Sequence, residues 1–386
     1  YRGTENFFLE TPLGYGVYSS SDALNASYLK SAQFLYEAKG ISETNSFFFN
    51  NELTFFNGDE TSKLSFGARS EDTLLAYENL PPRVSDDADI RQPTPSSGII
   101  RGFEPALIDP RPIDQNDFLY FINFSYEPSD KIKFFISRSR TIAKPTFREV
   151  APFPIFNLLD KSVDLGNPGR IISDINNYNP ETGTGSYLLP DRYAGLKISQ
   201  IYNTDLRLEF YPKEDSLISF GVFKKEINNP IEKVLATNIN GIDINSYINN
   251  NNRATVSGFE FELKYSLGDA SVGCNYANIN AEVGRSSFED IVLDDQLWNG
   301  NLDSSFGDRS LYNQPSYLSN FYFSYDIEKL NTNITFSKSF VGEQLYRTGF
   351  ISSGSGQGSP DLYLDPYWNS NLVIRSKIND VFSVSF

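Results

Sequence analysis

The sequence contains no histidine, no methionine and a single cysteine, Cys274. Without histidine, a Ser-His-Asp triad or a Cys-His pair cannot form, and one thiol provides neither an internal disulfide nor a zinc site of the usual ligand count. Paired carboxylates remain chemically possible. However, Glu260 and Glu262 lie two residues apart on one predicted strand, which a polar wall explains equally well. We therefore expect no enzyme, no metal site and no cofactor.

Long apolar runs and excess positive charge are also missing. No stretch approaches the roughly 18 consecutive apolar residues that a membrane helix needs, and the mean hydropathy is −0.37. The 33 Lys and Arg residues are outnumbered by 49 Asp and Glu, which gives a formal net charge of −16. Because nucleic-acid binding depends on clustered cations, nucleic acid is not an expected partner. A helical membrane protein is excluded as well.

Aromatic residues are abundant, with 32 Phe and 23 Tyr, and they recur at every second position. In residues 205–211, for example, Leu206, Leu208 and Phe210 alternate with charged residues. Such alternation predicts a strand with one apolar and one polar face. The charged side chains predicted to face a polar interior are Arg207, Glu209, Glu260, Glu262, Lys264 and Arg375.

The same alternation predicts about thirteen strands, and no helical periodicity competes with it. Their ranges are 31–38, 45–57, 63–77, 117–127, 131–143, 200–211, 217–234, 253–267, 271–284, 315–327, 332–347, 367–378 and 382–386. Short and long connections alternate between them, so that every long loop falls at the same end. This arrangement favours an all-β transmembrane antiparallel β-barrel with short periplasmic turns and long extracellular loops. The alternative is a soluble β-sandwich or propeller, which has no reason to place its long loops together.

Strand number and the chain ends predict that this barrel is incomplete. Single-chain bacterial barrels have even strand numbers, whereas the count here is odd and the final strand is too short to cross. The sequence also begins at Tyr1 without a secretion signal. We therefore expect residues 1–386 to form one partial barrel domain with two open edges.

A motif in residues 137–153 reads SRSRTIAKPTFREVAPF and follows a predicted strand pair. It resembles the barrel signature of TonB-dependent receptors, in which a strand ends in Ser-Arg-Thr-Ile-Ala-Arg-Pro and enters a long loop through Phe-Arg-Glu. Lys144 stands where that pattern usually has arginine, and the predicted strand should end at Pro145. The resemblance covers most of the chain from about residue 45 onward. The matching residues are Arg138, Arg140, Pro145, Phe147, Arg148 and Glu149.

Two interpretations of Arg138 and Arg140 remain open at this point. They could contact a plug or an anionic ligand, or they could lie at the level of the lipid headgroups with their stems along the apolar surface. We favour the second interpretation. A metal role for the acidic loop of residues 174–193 is not expected, because the spacing lacks the glycine and terminal glutamate of a calcium loop.

The resemblance implies a bacterial outer-membrane protein that imports a scarce nutrient, such as an iron chelate, cobalamin or an oligosaccharide. Family barrels have 22 strands around a plug, so the plug, the TonB-contacting segment, the early strands and the last strand would lie outside this sequence. The implied partners are the TonB energy-coupling complex, outer-membrane lipid and cargo. A passive porin or surface adhesin is the alternative. Aromatic side chains expected to stack on cargo, unless they anchor the membrane rim, are Tyr187, Tyr193, Trp298 and Tyr312.

Overall fold

Alternating side chains assemble most of the described chain into one antiparallel sheet. The computed structural model describes residues 2–6, 38–58, 60–79, 108–150, 155–157, 162–179, 184–187, 189, 191–239, 242–286, 308–347, 350–351, 358–359, 362–378 and 382–385. The sheet has 14 strands, 13 of which pair in chain order along one path. Numbered along the chain, these are β1 (Arg2–Asn6), β2 (Ala38–Asn57), β3 (Glu60–Asn79), β5 (Ile113–Ser129), β6 (Ile132–Ala143), β11 (Ser199–Phe210), β12 (Leu217–Asn228), β15 (Ala254–Leu267), β16 (Ala270–Val283), β18 (Tyr317–Ile327), β19 (Thr332–Val341), β24 (Tyr367–Lys377) and β25 (Ser383–Ser385).

Shorter strands occupy the long connections and form small sheets of their own, except that one of them pairs with β16. They are β4 (Ile108–Pro110), β7 (Ile155–Asn157), β8 (Ser162–Asp164), β9 (Gly169–Asn179), β10 (Thr184–Tyr187), β13 (Ile231–Ile239), β14 (Ile242–Asn249), β17 (Arg309–Ser310), β20 (Gln344–Arg347), β21 (Phe350–Ile351), β22 (Gly358–Ser359) and β23 (Leu362–Leu364). Helical structure comprises α1 (Phe147–Val150) and 3-10 turns at Asp191–Tyr193 and Glu328–Leu330. Within the described residues, no helix is long and apolar enough to cross a membrane.

Turn length separates the two ends of the sheet. β2 and β3 are joined by residues 58–59, and β15 and β16 by residues 268–269. Gly58 and Gly268 adopt φ values of +62° and +66° in these turns, a conformation that glycine enters without steric cost. The long connections join strands at the opposite end, which we call the long-loop end. The predicted all-β fold and antiparallel partial barrel are therefore confirmed.

Continuous strand register keeps apolar and polar side chains on separate faces. Ile136 lies opposite Leu206, which in turn lies opposite Val222, and all three side chains are exposed. Most intervening positions of the same strands carry polar residues such as Ser137 and Arg207, with Phe135 and Phe223 as exceptions. We call these surfaces the apolar face and the polar face. An exposed apolar face on a sheet of this size suits contact with lipid rather than with water.

The sheet path does not close on itself within the described residues. β1 and β25 stand at its two ends, and no described pairing joins them. The predicted strand at 31–38 lies outside the described residues except for Ala38, which begins β2. No strand was predicted before residue 31, but β1 pairs with the start of β2. This pairing satisfies backbone groups and does not require alternating side chains, so the sequence pattern does not reveal it.

Two predicted strands are each divided by a local break. The prediction at 217–234 spans β12 and β13, which are separated by Asn229 with φ +52° and by Pro230. Left-handed asparagine redirects the chain, and proline cannot donate a ladder hydrogen bond. The prediction at 332–347 similarly spans β19 and β20, separated by residues 342–343. In both cases the second part leaves the main sheet for a small sheet at the long-loop end.

The apolar face predicts a strong effect of charge at Leu208, which lies between Phe134 and Phe220 in the register. In the full-length protein in lipid vesicles, Leu208→Arg should lower the free energy of unfolding by about 2 to 4 kcal/mol, because hydrocarbon cannot solvate the cation. Urea titration monitored by tryptophan fluorescence measures this change. Asn320→Arg, at a polar-face position, is the matched control and should cost much less. Equal losses in both variants would contradict the assignment of the faces.

Candidate functional site at the long-loop end

The sheet divides at the long-loop end and encloses an apolar core. β5 pairs with β6 only as far as Tyr120 opposite Arg140, whereas β6 stays paired with β11 up to Ala143. Beyond this division, the ends of β6 and β11 lie across the polar face of β3 and β5. The core between these layers consists of the buried residues Leu75, Ile113, Val150, Leu196 and Ile198, with Ile142, Ile231 and Tyr247 packed against them.

Two carboxylates are buried beside this core. Glu71 of β3 lies directly opposite Asp117 of β5, and the two residues are 5% and 1% exposed. Adjacent like charges in a sheet destabilise it unless they are compensated. Glu71 accepts Arg69 Nη2 and Lys144 Nζ, each at 2.6 Å. Arg140 Nη2 lies 3.4 Å from Asp117 Oδ1.

Amide side chains complete the shell around Asp117. Gln115 Nε2 donates to Oδ2 at 2.7 Å, and Gln200 Nε2 donates to Oδ1 at 3.2 Å. Because Gln200 belongs to β11, these contacts bridge the two layers of the divided sheet. The motif residues Arg140 and Lys144 thus bind the buried carboxylates of the neighbouring strands.

The motif then continues into a single helical turn with reciprocal capping. The Thr146 N–H donates to Glu149 Oε2 at 2.6 Å, and the Glu149 N–H donates to Thr146 Oγ1 at 3.3 Å. This is a capping box, and the spacing Thr-Phe-Arg-Glu is its sequence pattern. The strand alternation around these residues did not indicate this helical turn. Residues 146–149 carried the pattern that could have revealed α1.

The next motif residue, Arg148, connects α1 to the small sheets. Its Nη2 donates to the Asp164 carbonyl at 3.2 Å and lies 3.7 Å from the Asp164 carboxylate. The same carboxylate binds Lys233 Nζ at 2.8 Å and Asn245 Nδ2 at 3.0 Å. Asp164 therefore joins α1, β8, β13 and β14.

Asn167 connects several parts of the long-loop core. It is fully buried, and its Nδ2 donates to the carbonyls of Tyr193 at 2.7 Å and Tyr247 at 2.6 Å. Its Oδ1 accepts the Gly195 N–H at 2.7 Å, while its own N–H donates to the Glu149 carbonyl at 2.7 Å. All polar groups of this side chain are thus bound in a water-excluded core, where an unmade hydrogen bond would be costly.

A buried ion pair connects two different long connections. Arg309 Nη1 and Nη2 lie 2.9 Å from the two carboxylate oxygens of Glu232, and both side chains are 2% exposed. Asn250 Nδ2 adds a hydrogen bond to Glu232 at 2.7 Å and donates to the Gly284 carbonyl at 2.8 Å. The Arg309 guanidinium also covers the Tyr312 ring, 4.8 Å from its centroid. Bidentate geometry and added hydrogen bonds are what a buried pair requires.

In a more exposed cluster, two arginines bind one aspartate. Asp191 Oδ1 binds Arg111 Nη2 and Arg170 Nε, each at 2.5 Å. Arg111 Nη1 also donates to the Ala194 carbonyl at 3.4 Å, and neighbouring Arg192 covers the Tyr193 ring at 4.9 Å. The hydrogen bond from Arg170, followed by the charge of Arg111, holds the pKa of Asp191 below its usual range despite desolvation. We call Arg111, Arg170, Arg192 and Asp191 the arginine cluster.

The charged residues predicted for the barrel interior lie on the polar face. Arg207 Nε is 2.8 Å from Glu209 Oε1, and Arg207 Nη2 is 3.0 Å from Glu262 Oε2. Strand register also places Glu260, Lys264 and Arg375 on this face. Among the described residues, no group of three or more His, Cys, Asp or Glu is arranged to hold a metal ion.

Comparison with known proteins identifies this architecture. The family described as TonB dependent receptor-like, beta-barrel has a model that matches residues 2–386. The chain belongs to this family. No curated protein matches it significantly.

Solved structures of ferric-chelate and siderophore receptors are similar to this chain. The ferric-catecholate import receptor Fiu from Escherichia coli K12 is 13% identical, with a TM-score of 0.51 over 89% of this chain and 40% of that chain. A mutant of the ferric enterobactin receptor PfeA from Pseudomonas aeruginosa is 13% identical, with a TM-score of 0.49 over 91% and 48%. The siderophore receptor PirA from Acinetobacter baumannii is 16% identical, with a TM-score of 0.46 over 89% and 50%. This chain therefore spans at most half of each relative.

The residues that resemble the signature of TonB-dependent receptors lie in different environments. Arg138 lies on the apolar face and donates to Thr204 Oγ1, whereas Arg140 reaches the buried Asp117. Pro145 is buried just after β6. Phe147 begins α1, and Glu149 caps it.

Two of the predicted cargo aromatics, Tyr193 and Tyr312, have described side chains, and each packs against its own neighbours. Tyr193 is 3% exposed and packs with Leu189, Val234 and Ile248, so it is a core residue in this structure rather than a surface for stacking. Tyr312 stacks with Arg309. Tyr187 ends β10, and Trp298 lies outside the described residues.

Another group of exposed side chains at the long-loop end was missed. Tyr346, Leu362 and Leu364 are between 40% and 48% exposed on the paired strands β20 and β23. This hairpin follows the end of β19, and the prediction had joined β20 to that strand. The dividing residues 342–343 were the available indication, because glycine weakens a strand interior.

The ion pair between Lys144 and the buried Glu71 should contribute to the stability of the folded protein. Lys144→Met should lower the free energy of unfolding by about 1 to 3 kcal/mol, because Glu71 loses a charged hydrogen bond while it remains buried. Chemical denaturation of the full-length protein measures this loss. Glu71→Gln in the same background should recover part of it. Additive losses in a double-mutant cycle would show that the two side chains are not coupled.

Asn167→Ala should loosen the long-loop core locally. Two carbonyls and the Gly195 N–H would lose their partner, at about 1 to 3 kcal/mol, so the Gly195 amide should exchange roughly tenfold to a hundredfold faster. Hydrogen exchange followed by mass spectrometry tests this prediction. Asn320→Ala, which removes a 2.8 Å hydrogen bond to Asn275 on the polar face, is the control. Unchanged exchange near Gly195 would refute a connecting role for Asn167.

Proposed function

We propose that this protein takes part in TonB-dependent uptake of a scarce nutrient across the bacterial outer membrane. The observation that carries the proposal is the family match over residues 2–386. Relatives in this family are outer-membrane barrels that act as receptors and transporters rather than enzymes, and we propose the same for this chain. Residues 1–386 would contribute part of the barrel wall, with the short turns in the periplasm and the long-loop end outside.

We favour an iron chelate as the cargo class. Fiu, which has the same fold, is named a ferric-catecholate import receptor. The arginine cluster supports this choice through its charge. Arg111 and Arg170 both bind one carboxylate, Asp191, and Arg192 follows it in the sequence, in a chain whose formal net charge is −16. Guanidinium groups in fixed positions bind carboxylate and other oxyanion groups through paired hydrogen bonds. An anionic chelate is therefore a better match than neutral cargo.

The proposed partners follow from the same family assignment. A plug and a segment that contacts TonB would belong to parts of the protein outside residues 1–386. On the polar face, Arg207 forms ion pairs with both Glu209 and Glu262 within the wall, so we propose that few of these residues bind cargo. Stacking of cargo on Tyr187, Trp298 or Tyr312 remains part of the proposal.

Uptake in an iron-limited strain lacking the gene tests the function. The full-length protein should restore transport of radiolabelled ferric chelate, and removal of TonB should abolish that transport. Cobalamin and oligosaccharide are the competing cargoes to assay in parallel. Transport that persists without TonB would favour the passive porin, and absence of any transport alongside intact cell-surface attachment would favour the adhesin.

The arginine cluster can be tested separately from its packing role. Combined Arg111→Gln and Arg170→Gln should raise the half-saturating chelate concentration by roughly tenfold, because two anion-binding groups are lost. Asp191→Asn removes the competing carboxylate and should leave affinity equal or higher. Lys213→Gln, at the short-turn end, is the control for lost charge. If Asp191→Asn weakened binding as much as the arginine variants, the cluster would be structural only.

A further inference from the structure

Polar side chains interrupt the apolar face on three neighbouring strands. On β6, β11 and β12, the apolar run towards the long-loop end is interrupted after Ile136, Leu206 and Val222, which lie opposite one another, whereas the adjacent β5 still carries Ile122 opposite Arg138. The next positions on the same face are Arg138, Thr204 and Lys224, again opposite one another. We call these three residues the cationic row. It lies directly above side chains that suit hydrocarbon.

Strand spacing places the two cations within reach of one small anion. Neighbouring strands are about 4.8 Å apart, so the backbones of Arg138 and Lys224, with β11 between them, are about 10 Å apart. Their side chains are long enough to converge over Thr204. Arg138 Nη1 already donates to Thr204 Oγ1 at 2.5 Å. Ser257 of β15, opposite Lys224, provides a second hydroxyl.

The nearby described carboxylates do not neutralise the positive charge of the cationic row. No described carboxylate pairs with Arg138, whose contact is with the Thr204 hydroxyl. The Lys224 side chain is 56% exposed and lies 3.4 Å from Glu226, but Glu226 also binds Arg253 at 3.2 Å. One carboxylate is thus shared by two cations. The accumulation is notable because the chain as a whole has a formal net charge of −16.

We propose that the cationic row binds the phosphate of a lipid in the membrane leaflet at the long-loop end. Guanidinium and ammonium groups together with hydroxyl donors match phosphate oxygens. The apolar side chains immediately below the row would contact the acyl chains of the same molecule, which a soluble phosphate cannot exploit. The row lies on the face opposite Arg207 and Glu262, so it is separate from the interior that cargo would cross. This inference rests on the membrane location proposed above.

Binding of diphosphoryl lipid A to the purified full-length protein in detergent micelles tests the proposal. Combined Arg138→Gln and Lys224→Gln should weaken binding by roughly tenfold or more, because both phosphate-binding cations are removed. Lys224→Arg retains the charge and should preserve binding. Combined Lys264→Gln and Arg375→Gln on the polar face removes the same total charge and should leave lipid A affinity unchanged. Native mass spectrometry reports occupancy in each variant.

Three results would overturn the proposal. They are unchanged affinity in the Arg138 and Lys224 double variant, equal weakening in the polar-face control, and full displacement of lipid A by millimolar inorganic phosphate, which would assign the row to soluble phosphate. Chelate uptake by the same double variant separates this inference from the proposed function. Lost lipid binding with normal uptake supports both, whereas absent uptake in the wild-type protein with intact lipid binding counts against the transport proposal alone.

Discussion

A register slip of one residue between any two central strands would exchange their apolar and polar faces, because side chains alternate with a period of two. The path from β2 to β24 shows continuous pairing across its strand centres, and the breaks in register fall near strand ends. Ile136, Leu206 and Val222 consequently share one surface, while Arg207 and Glu262 share the other. Membrane contact and interior chemistry both depend on this separation.

The long-loop end follows a different physical rule. There the main ladder divides, and polar side chains are buried rather than exposed. Glu71, Asp117, Glu232 and Asn167 would each be costly in isolation. Each is instead bound by residues from distant parts of the sequence, so the loops form a packed core on the barrel wall. These hydrogen bonds and ion pairs form only when the loops adopt one arrangement. An apolar core alone would specify that arrangement less strictly.

Two kinds of cationic surface result from this architecture, and they face different surroundings. The arginine cluster is part of the exposed loop surface, where cargo would arrive in our proposal, whereas the cationic row lies on the apolar face towards the long-loop end. The family motif contributes to both wall and core. Arg138 remains on the apolar face. Arg140, two residues later, instead forms an ion pair with Asp117 between the two layers of the divided sheet. Strand alternation alone would have placed both arginines in the same environment.

The sequence alone determined the alternating strands, the two faces and the family, because these depend on local periodicity and on a contiguous motif. It also contained the capping box at Thr146 and Glu149, although the strand pattern around it concealed the helix. It could not show that Tyr193 is core, that Arg309 pairs with Glu232, or that β6 separates from β5. Those features were decided by tertiary structure, since they depend on contacts between residues far apart in the chain and on where unpaired backbone and buried charge find partners.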